Sequence, residues 1–151
     1  MKLAEAIIIV EDLKKKLESL RKRIGDNVIT REGIRPNEDP AELIKQSFKL
    51  LQELCGLTVK INIVNARCTF TNGRKLAEII AQRDELSQQH DLLMQATAQA
   101  AQKPEPSGMS GTKWVTPLDV RKLQEQADAI EKKVRGLNLL IQSTNWKIEL
   151  E

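Results

Sequence analysis

The residues of this sequence that could carry chemistry are few. His90 is the single histidine, and the residue three positions before it is Ser87, so the Glu-x-x-His pairs of di-iron bundles are absent. Cys55 and Cys68 form neither a CxxC motif nor a zinc spacing, and both fall near apolar helical positions, which predicts free buried thiols. A glycine-rich phosphate loop is also missing. The sequence therefore predicts no catalytic residue, no metal site and no cofactor.

Four polar residues stand at or near positions that helical periodicity assigns to a core. Arg83 and His90 lie one heptad apart in the third predicted helix. They could form a pocket that recognises an anion or a carboxylate. Alternatively, Arg83 pairs with an acid and sets helix register, as polar core residues do in coiled coils. Asn62 and Asn65, near the end of the second helix, have the same two interpretations.

The elements that must position these residues are helices with heptad seams. The clearest seam belongs to the first helix, at Leu3, Ala6, Val10, Leu13, Leu17, Leu20 and Ile24. Gly25 follows this seam and predicts the end of the helix. The third helix is predicted over about residues 74–102, and the fourth keeps three–four spacing from Val120 to Ile148.

The second predicted helix is apolar on two faces. Asp39 predicts its N-cap, with Pro40 in the first helical position. One face consists of Leu43, Leu50, Leu54, Leu57, Ile61 and Val64. The other face consists of Ile44, Phe48, Leu51 and Cys55. A stripe this broad predicts a helix contacted on two sides, in a bundle interior or in an oligomer.

Two long loops separate the helices within each predicted pair. Residues 25–38 are rich in turn formers, and Val28, Ile29 and Ile34 could form a short β-hairpin. Residues 103–113 are of low complexity and are predicted to be a flexible loop. In an up-down-up-down bundle both loops emerge at the same end. That end would gather a candidate contact surface of Arg31, Arg35, Met109, Lys113 and Trp114.

The charge balance gives little reason to expect nucleic acid or membrane as a partner, because 24 basic residues face 21 acidic ones. Six of the basic residues lie in the first helix, at 14–16 and 21–23. We interpret them as a solvent-exposed helix face; the alternative is that they bind nucleic acid. Two Phe, two Trp and no Tyr favour helix-on-helix packing. The start of the sequence shows no signal peptide and no membrane span, which predicts a cytoplasmic protein.

Several segments resemble a known family. They are MKLAEA, EDPAEL, INIVNARCTFTNG, KWVTPLDVRKLQEQAD and IQSTNWKIEL. The sequence is similar over nearly its whole length to an uncharacterised family of short bacterial helical proteins, some of which are labelled septicolysin. The resemblance implies an all-α cytoplasmic protein and brings no activity, cofactor or catalytic residue to transfer. The label suggests a cytolysin, which the sequence does not support, since it shows no membrane-inserting segment and no β-rich body.

These observations predict an all-α chain, with one helical-bundle domain over residues 1–151. Its four long antiparallel helices form coiled-coil hairpins, with small irregular or β-hairpin loops at one end. The first helix spans about 33 Å and the last about 45 Å, which leaves apolar seam uncovered. We therefore predict a non-enzymatic, homo-oligomeric scaffold or interaction module. The alternatives are a small-molecule or nucleotide-binding protein, or an enzyme, using Arg83 and His90, and nucleic-acid binding through the first helix.

Overall fold

The computed structural model describes residues 1–102 and 113–151. These ranges contain four helices: α1 (Leu3–Asn27), α2 (Pro40–Arg67), α3 (Leu76–Ala101) and α4 (Val120–Asn145). They contain no strand, only two isolated β-bridges, so the all-α prediction is confirmed. The helices pack in pairs, α1 with α2 and α3 with α4. Within the same ranges, no helix is both long and apolar enough to cross a membrane.

The described chain divides into two compact units. The first unit comprises Met1–Lys75 and Gln142–Glu151, and the second comprises Leu76–Ile141. The prediction of one domain over residues 1–151 stays a prediction. The flexible loop predicted at 103–113 falls, apart from Lys113, outside the described residues.

The α1 seam forms the core of the first unit, as its spacing predicts. The seam residues that are buried are Leu3, Ala6, Leu13, Leu17 and Leu20. On α2, Leu43 and Ser47 are buried, and the Ser47 hydroxyl donates a hydrogen bond to the Leu43 carbonyl at 2.9 Å. Each buried leucine stabilises the fold by roughly 1.5–3 kcal/mol relative to an exposed one. The α1·α2 pair is therefore held mainly by the apolar seams.

The helix ends agree with the sequence at Asp39 and differ from it at Gly25. The Asp39 carboxylate accepts a hydrogen bond from the Ala41 N–H at 3.0 Å, and Pro40 occupies the first helical position, so this N-cap is confirmed. The predicted end at Gly25 is wrong, because α1 continues to Asn27. Asn27 is only 8% exposed and its side chain is hydrogen-bonded, which outweighs the ~1 kcal/mol that glycine costs inside a helix.

The last residues of the chain pair with the first. The Leu3 N–H donates to the Ile148 carbonyl at 2.9 Å, and the Leu150 N–H donates to the Met1 carbonyl at 2.7 Å. Leu150 is buried as a result. The Glu149 carboxylate forms ion pairs with the N-terminal amine at 3.2 Å and with Lys2 Nζ at 2.5 Å. This pairing fixes the residues that follow α4 within the first unit.

The loop between α1 and α2 is irregular and contains no β-hairpin. Val28, Ile29 and Ile34 are all exposed, so no buried face supports strand pairing. A single turn forms instead, in which the Ile34 N–H donates to the Arg31 carbonyl and Gly33 has φ +80°. Of the two predicted forms of this loop, β-hairpin or irregular, the structure therefore has the irregular one.

The short connection between α2 and α3 is a tight turn. Thr69 and Lys75 form an antiparallel bridge, and the Phe70 N–H donates to the Arg74 carbonyl at 2.8 Å. Gly73 adopts φ +82°, a conformation that residues with a Cβ atom rarely adopt. The turn ends one residue before α3 begins.

The second unit buries apolar residues of α3 and α4. The buried ones are Leu76, Ile79, Ala127, Ile130 and Ile141. Helix α4 begins after Asp119, whose carboxylate accepts a hydrogen bond from the Lys122 N–H at 3.2 Å. The seam spacing of the fourth helix is thus confirmed by burial at Ala127, Ile130 and Ile141.

Candidate interaction surface

The most unusual surface of the first unit is the second apolar face of α2, which is exposed within the described first unit. We call it the outer stripe; it consists of Ile44, Phe48, Leu51, Cys55, Val59 and Ile63. Phe48 is 63% exposed, Val59 51% and Ile63 43%. Ile44 and Leu51 are 38% and 42% exposed, and Cys55 is also exposed. Sequence periodicity found its first four members and missed Val59 and Ile63.

From Ile44 to Val59 the outer stripe carries no charge, and only its edge at Ile63 shares an angle around the helix with a charged residue, Lys45. At 100° per residue, the side of the helix that contains the stripe also contains Ala41, Gln52, Thr58, Asn62 and Ala66. The nearest cations are Lys45, Lys49, Lys60 and Arg67, which project from the flank. A helix face selected only for contact with water normally carries charges. An uninterrupted uncharged face is therefore typical of a contact surface.

The flank of α2 beside the outer stripe contains a glycine. Gly56 lies within the helix beside Cys55, and a Cβ built on it would meet no atom within 4 Å. The helix has a favourable packing face elsewhere, since Leu43 and Ser47 are buried. The two apolar faces predicted for α2 are thus both present, one packed within the unit and one exposed.

Arg83 and His90 lie on α3, in the second unit. The Arg83 guanidinium donates to Asp84 at 2.7 Å and to the Asn138 side-chain oxygen on α4 at 3.0 Å. His90 Nδ1 lies 3.9 Å from an Asp91 carboxylate oxygen. Both side chains are partly exposed, 29% for Arg83 and 27% for His90. Arg83 is thus partnered by the adjacent acid and by the facing helix, and the register role and the pocket both stay predictions.

Asn62 and Asn65 occupy different environments on α2. Asn62 is exposed on the side of the helix that carries the outer stripe. Asn65 is half-buried, and its side-chain oxygen is buried without a hydrogen-bond partner among the described residues. The two asparagines therefore do not form one polar site.

The residues predicted to gather at the long-loop end belong to both units. Arg31 and Arg35 are exposed in the first unit. Lys113 is exposed in the second, and Trp114, 59% exposed, lines a groove of about 570 Å³ with Ala100 and Leu118. Met109 lies outside the described residues. The contact surface that these five residues were predicted to share stays a prediction.

A polar clasp, which periodicity could not detect, closes the loop between α1 and α2. Arg23 donates two hydrogen bonds to the Glu38 carboxylate, one of them from Nε at 2.9 Å. Asn27 donates to the Arg23 carbonyl at 2.7 Å and accepts from the Glu38 N–H at 3.0 Å. The hydrogen bond from Arg23, aided by its charge, holds the pKa of Glu38 below its ordinary value. We call Arg23, Asn27 and Glu38 the loop clasp.

The chemistry-bearing residues remain scattered over the described chain. No group of three or more His, Cys, Asp or Glu side chains in those ranges could hold a metal ion. Both cysteines are free thiols, but the expectation that both are buried is wrong for Cys55, because it lies on the exposed outer stripe. Of the six cations of α1, Arg21 pairs with Glu18 and Arg23 with Glu38, which reduces the charge available for nucleic acid.

The fold and this surface define a class of all-α proteins built from helical hairpins. A protein of the same architecture is known, described as "Crystal structure of a functionally unknown conserved protein from Corynebacterium diphtheriae". The two chains are 28% identical, and the similarity covers 100% of this chain and 99% of that one, with a TM-score of 0.84. No curated protein sequence matches the chain significantly. The chain belongs to the Family of unknown function (DUF6847), whose model matches residues 11–150.

Proposed function

We propose that this protein is a non-enzymatic helical interaction module that self-associates through the outer stripe of α2. The observation that carries the proposal is the uncharged, exposed apolar face that runs along α2. Contiguous apolar patches of a few hundred Å² on a soluble protein mark interaction sites. The scattered chemistry-bearing residues provide no competing catalytic centre among the described residues.

The spacing of the outer stripe suits a second copy of the same helix. In an antiparallel pair about a two-fold axis near residue 53, Ile44 faces Ile63 and Phe48 faces Val59 of the other copy. Cys55 then lies close to Leu51 of the other copy. One surface therefore supplies both halves of an isologous interface, and no second patch is required.

We expect Phe48 to contribute most to the free energy of association. Burying the exposed 63% of its side chain would contribute about 3 kcal/mol for each protomer, at ~25 cal/mol per Å² of apolar area. Aromatic anchors at the centre of an interface typically dominate its affinity. A glutamate at this position would lose that term and place a charge in the apolar seam.

Sedimentation velocity at micromolar concentration tests the proposal. The wild-type protein is expected to sediment as a dimer or a larger closed oligomer, and Phe48→Glu as a monomer with an unchanged circular-dichroism spectrum. Lys49→Glu is the matched control, because it introduces the same residue at the next position, on the charged flank. It is expected to keep the wild-type sedimentation coefficient. A wild type that sediments as a monomer refutes the proposal, as does equal dissociation in both variants.

A further inference from the structure

A groove of about 530 Å³ lies in the first unit, between the last turns of α2 and the final residues of the chain. Its apolar lining comes from Ile63 and Val64 of α2 and from Ile148. The volume falls in the range of small-molecule sites, and such sites combine an apolar lining with a few charged groups. Pairing of the chain's two ends fixes the wall that contains Ile148, because its carbonyl accepts the Leu3 N–H.

Two cations of α2 line this groove. Lys60 and Arg67 are seven residues apart, so they lie on the same side of the helix, roughly 10 Å apart along its axis. Neither side chain has a hydrogen bond or an ion pair with another described residue. Ile63 and Val64 lie between them along the helix. The α2 wall thus consists of an apolar stretch with an unpaired cation at each end.

The acids that line the groove in the described chain stand on its opposite wall. Glu149 is already engaged by the N-terminal amine and by Lys2, whose hydrogen bonds hold the pKa of Glu149 below its ordinary value. Glu151 is the only other acid that lines the groove in the described chain. Both unpaired cations therefore lie on the α2 wall, where they are available to a bound anion.

We propose that this groove binds an organic anion with an apolar body, of the class of medium-chain carboxylates. The Arg67 guanidinium accepts the carboxylate as a planar two-donor partner, which a lysine ammonium cannot match. The hydrocarbon chain lies over Ile63 and Val64, and the methylene stem of Lys60 covers it. The groove is built within one first unit but shares Ile63 with the outer stripe, so the monomeric Phe48→Glu variant is needed to test the groove separately from self-association.

Thiol alkylation with decanoate as the probe tests the proposal, because Cys68 lines the groove and Cys55 does not. Iodoacetamide labelling of each cysteine is followed by peptide mass spectrometry, at decanoate concentrations below micelle formation. Decanoate is expected to slow alkylation of Cys68 and to leave the rate at Cys55 unchanged. Acetate, which lacks the chain, and decyltrimethylammonium, which has the opposite charge, are expected to protect neither thiol.

Arg67→Gln is expected to raise at least tenfold the decanoate concentration that gives half-protection of Cys68. The control is Lys49→Gln, which removes an exposed cation from the same helix and is expected to leave that concentration unchanged. The proposal is overturned if decanoate does not protect Cys68, if decyltrimethylammonium protects it equally, or if Arg67→Gln behaves as the wild type. The monomeric Phe48→Glu variant is expected to keep the protection. Failure of self-association and failure of the groove are therefore separate results.

Discussion

Asn27 is the residue that we expect to matter most for the loop between α1 and α2. Its side chain joins the end of α1 to the residue before the α2 cap, through hydrogen bonds to the Arg23 carbonyl and from the Glu38 N–H. Only 8% of Asn27 is exposed. The substitution Asn27→Ala removes both hydrogen bonds and leaves the Glu38 N–H without its protein partner.

The magnitude follows from those two contacts. A hydrogen bond contributes about 1 kcal/mol net, and a polar group left without a partner costs about 1–3 kcal/mol when water cannot reach it. Glu38 is half-buried, so water replaces part of what is lost. We expect Asn27→Ala to lower the free energy of unfolding by about 2 kcal/mol, which for a chain of this size corresponds to a melting temperature lower by about 4–8 °C.

Thermal unfolding followed by circular dichroism at neutral pH measures this effect. The control is Asn37→Ala, which makes the same change in the same loop at an exposed side chain with no hydrogen bond to a described residue. Asn37→Ala is expected to shift the melting temperature by less than about 2 °C. Equal melting temperatures for the two variants would refute the assignment of Asn27 as the link between α1 and the loop.

Two further predictions concern the loop clasp and the glycines. The pKa of Glu38 is lowered by Arg23, so their ion pair stabilises the fold above the ordinary carboxyl pKa of 4.5, and this stability is lost as pH falls through the lowered pKa. The free energy of unfolding, measured with urea across this range, is expected to depend less on pH for Glu38→Gln than for wild type. An identical pH dependence would contradict a stabilising ion pair between Arg23 and Glu38. Gly25→Ala is expected to raise the free energy of unfolding by roughly 0.5–1 kcal/mol, because the position is helical and its Cβ meets no atom within 4 Å. Gly33→Ala, at φ +80°, is expected to lower it by about 1 kcal/mol, so chemical denaturation that moves both variants the same way would count against the backbone assignment.

The helices and their seams could be predicted from the sequence because local periodicity and burial agree there. The α1 seam is buried at five of its positions, and both apolar faces of α2 are present. The Asp39 cap was also predictable, since a cap depends on residues adjacent in sequence. These features need no knowledge of distant contacts.

Contacts between distant residues account for what the sequence did not reveal. The pairing of Met1 with Leu150 brings together opposite ends of the chain, and no periodicity encodes it. Gly25 does not end α1, because the Asn27 side chain bonds to Arg23 within the helix and to Glu38 in the following loop, and these hydrogen bonds favour continuing the helix past Gly25. The predicted hairpin at 28–34 fails for a related reason, since Val28 and Ile29 have no buried surface to pack on.

The candidate surface was predictable in part. The spacing of Ile44, Phe48 and Leu51 predicts a second contact face, and the structure leaves that face exposed within the first unit. Lys60 and Arg67 drew no attention in the sequence, because a groove forms around them only when the final residues pack beside α2. The sequence signal that could have indicated this groove is the pair of cations seven residues apart with apolar residues between them.

Native mass spectrometry of the wild-type protein, purified without added ligand, tests the central claim of self-association most directly. We expect a mass of twice 17.1 kDa, or of a higher integer multiple, at micromolar concentration. A single species at 17.1 kDa under the same conditions would contradict it and would leave the uncharged face of α2 without the partner proposed here.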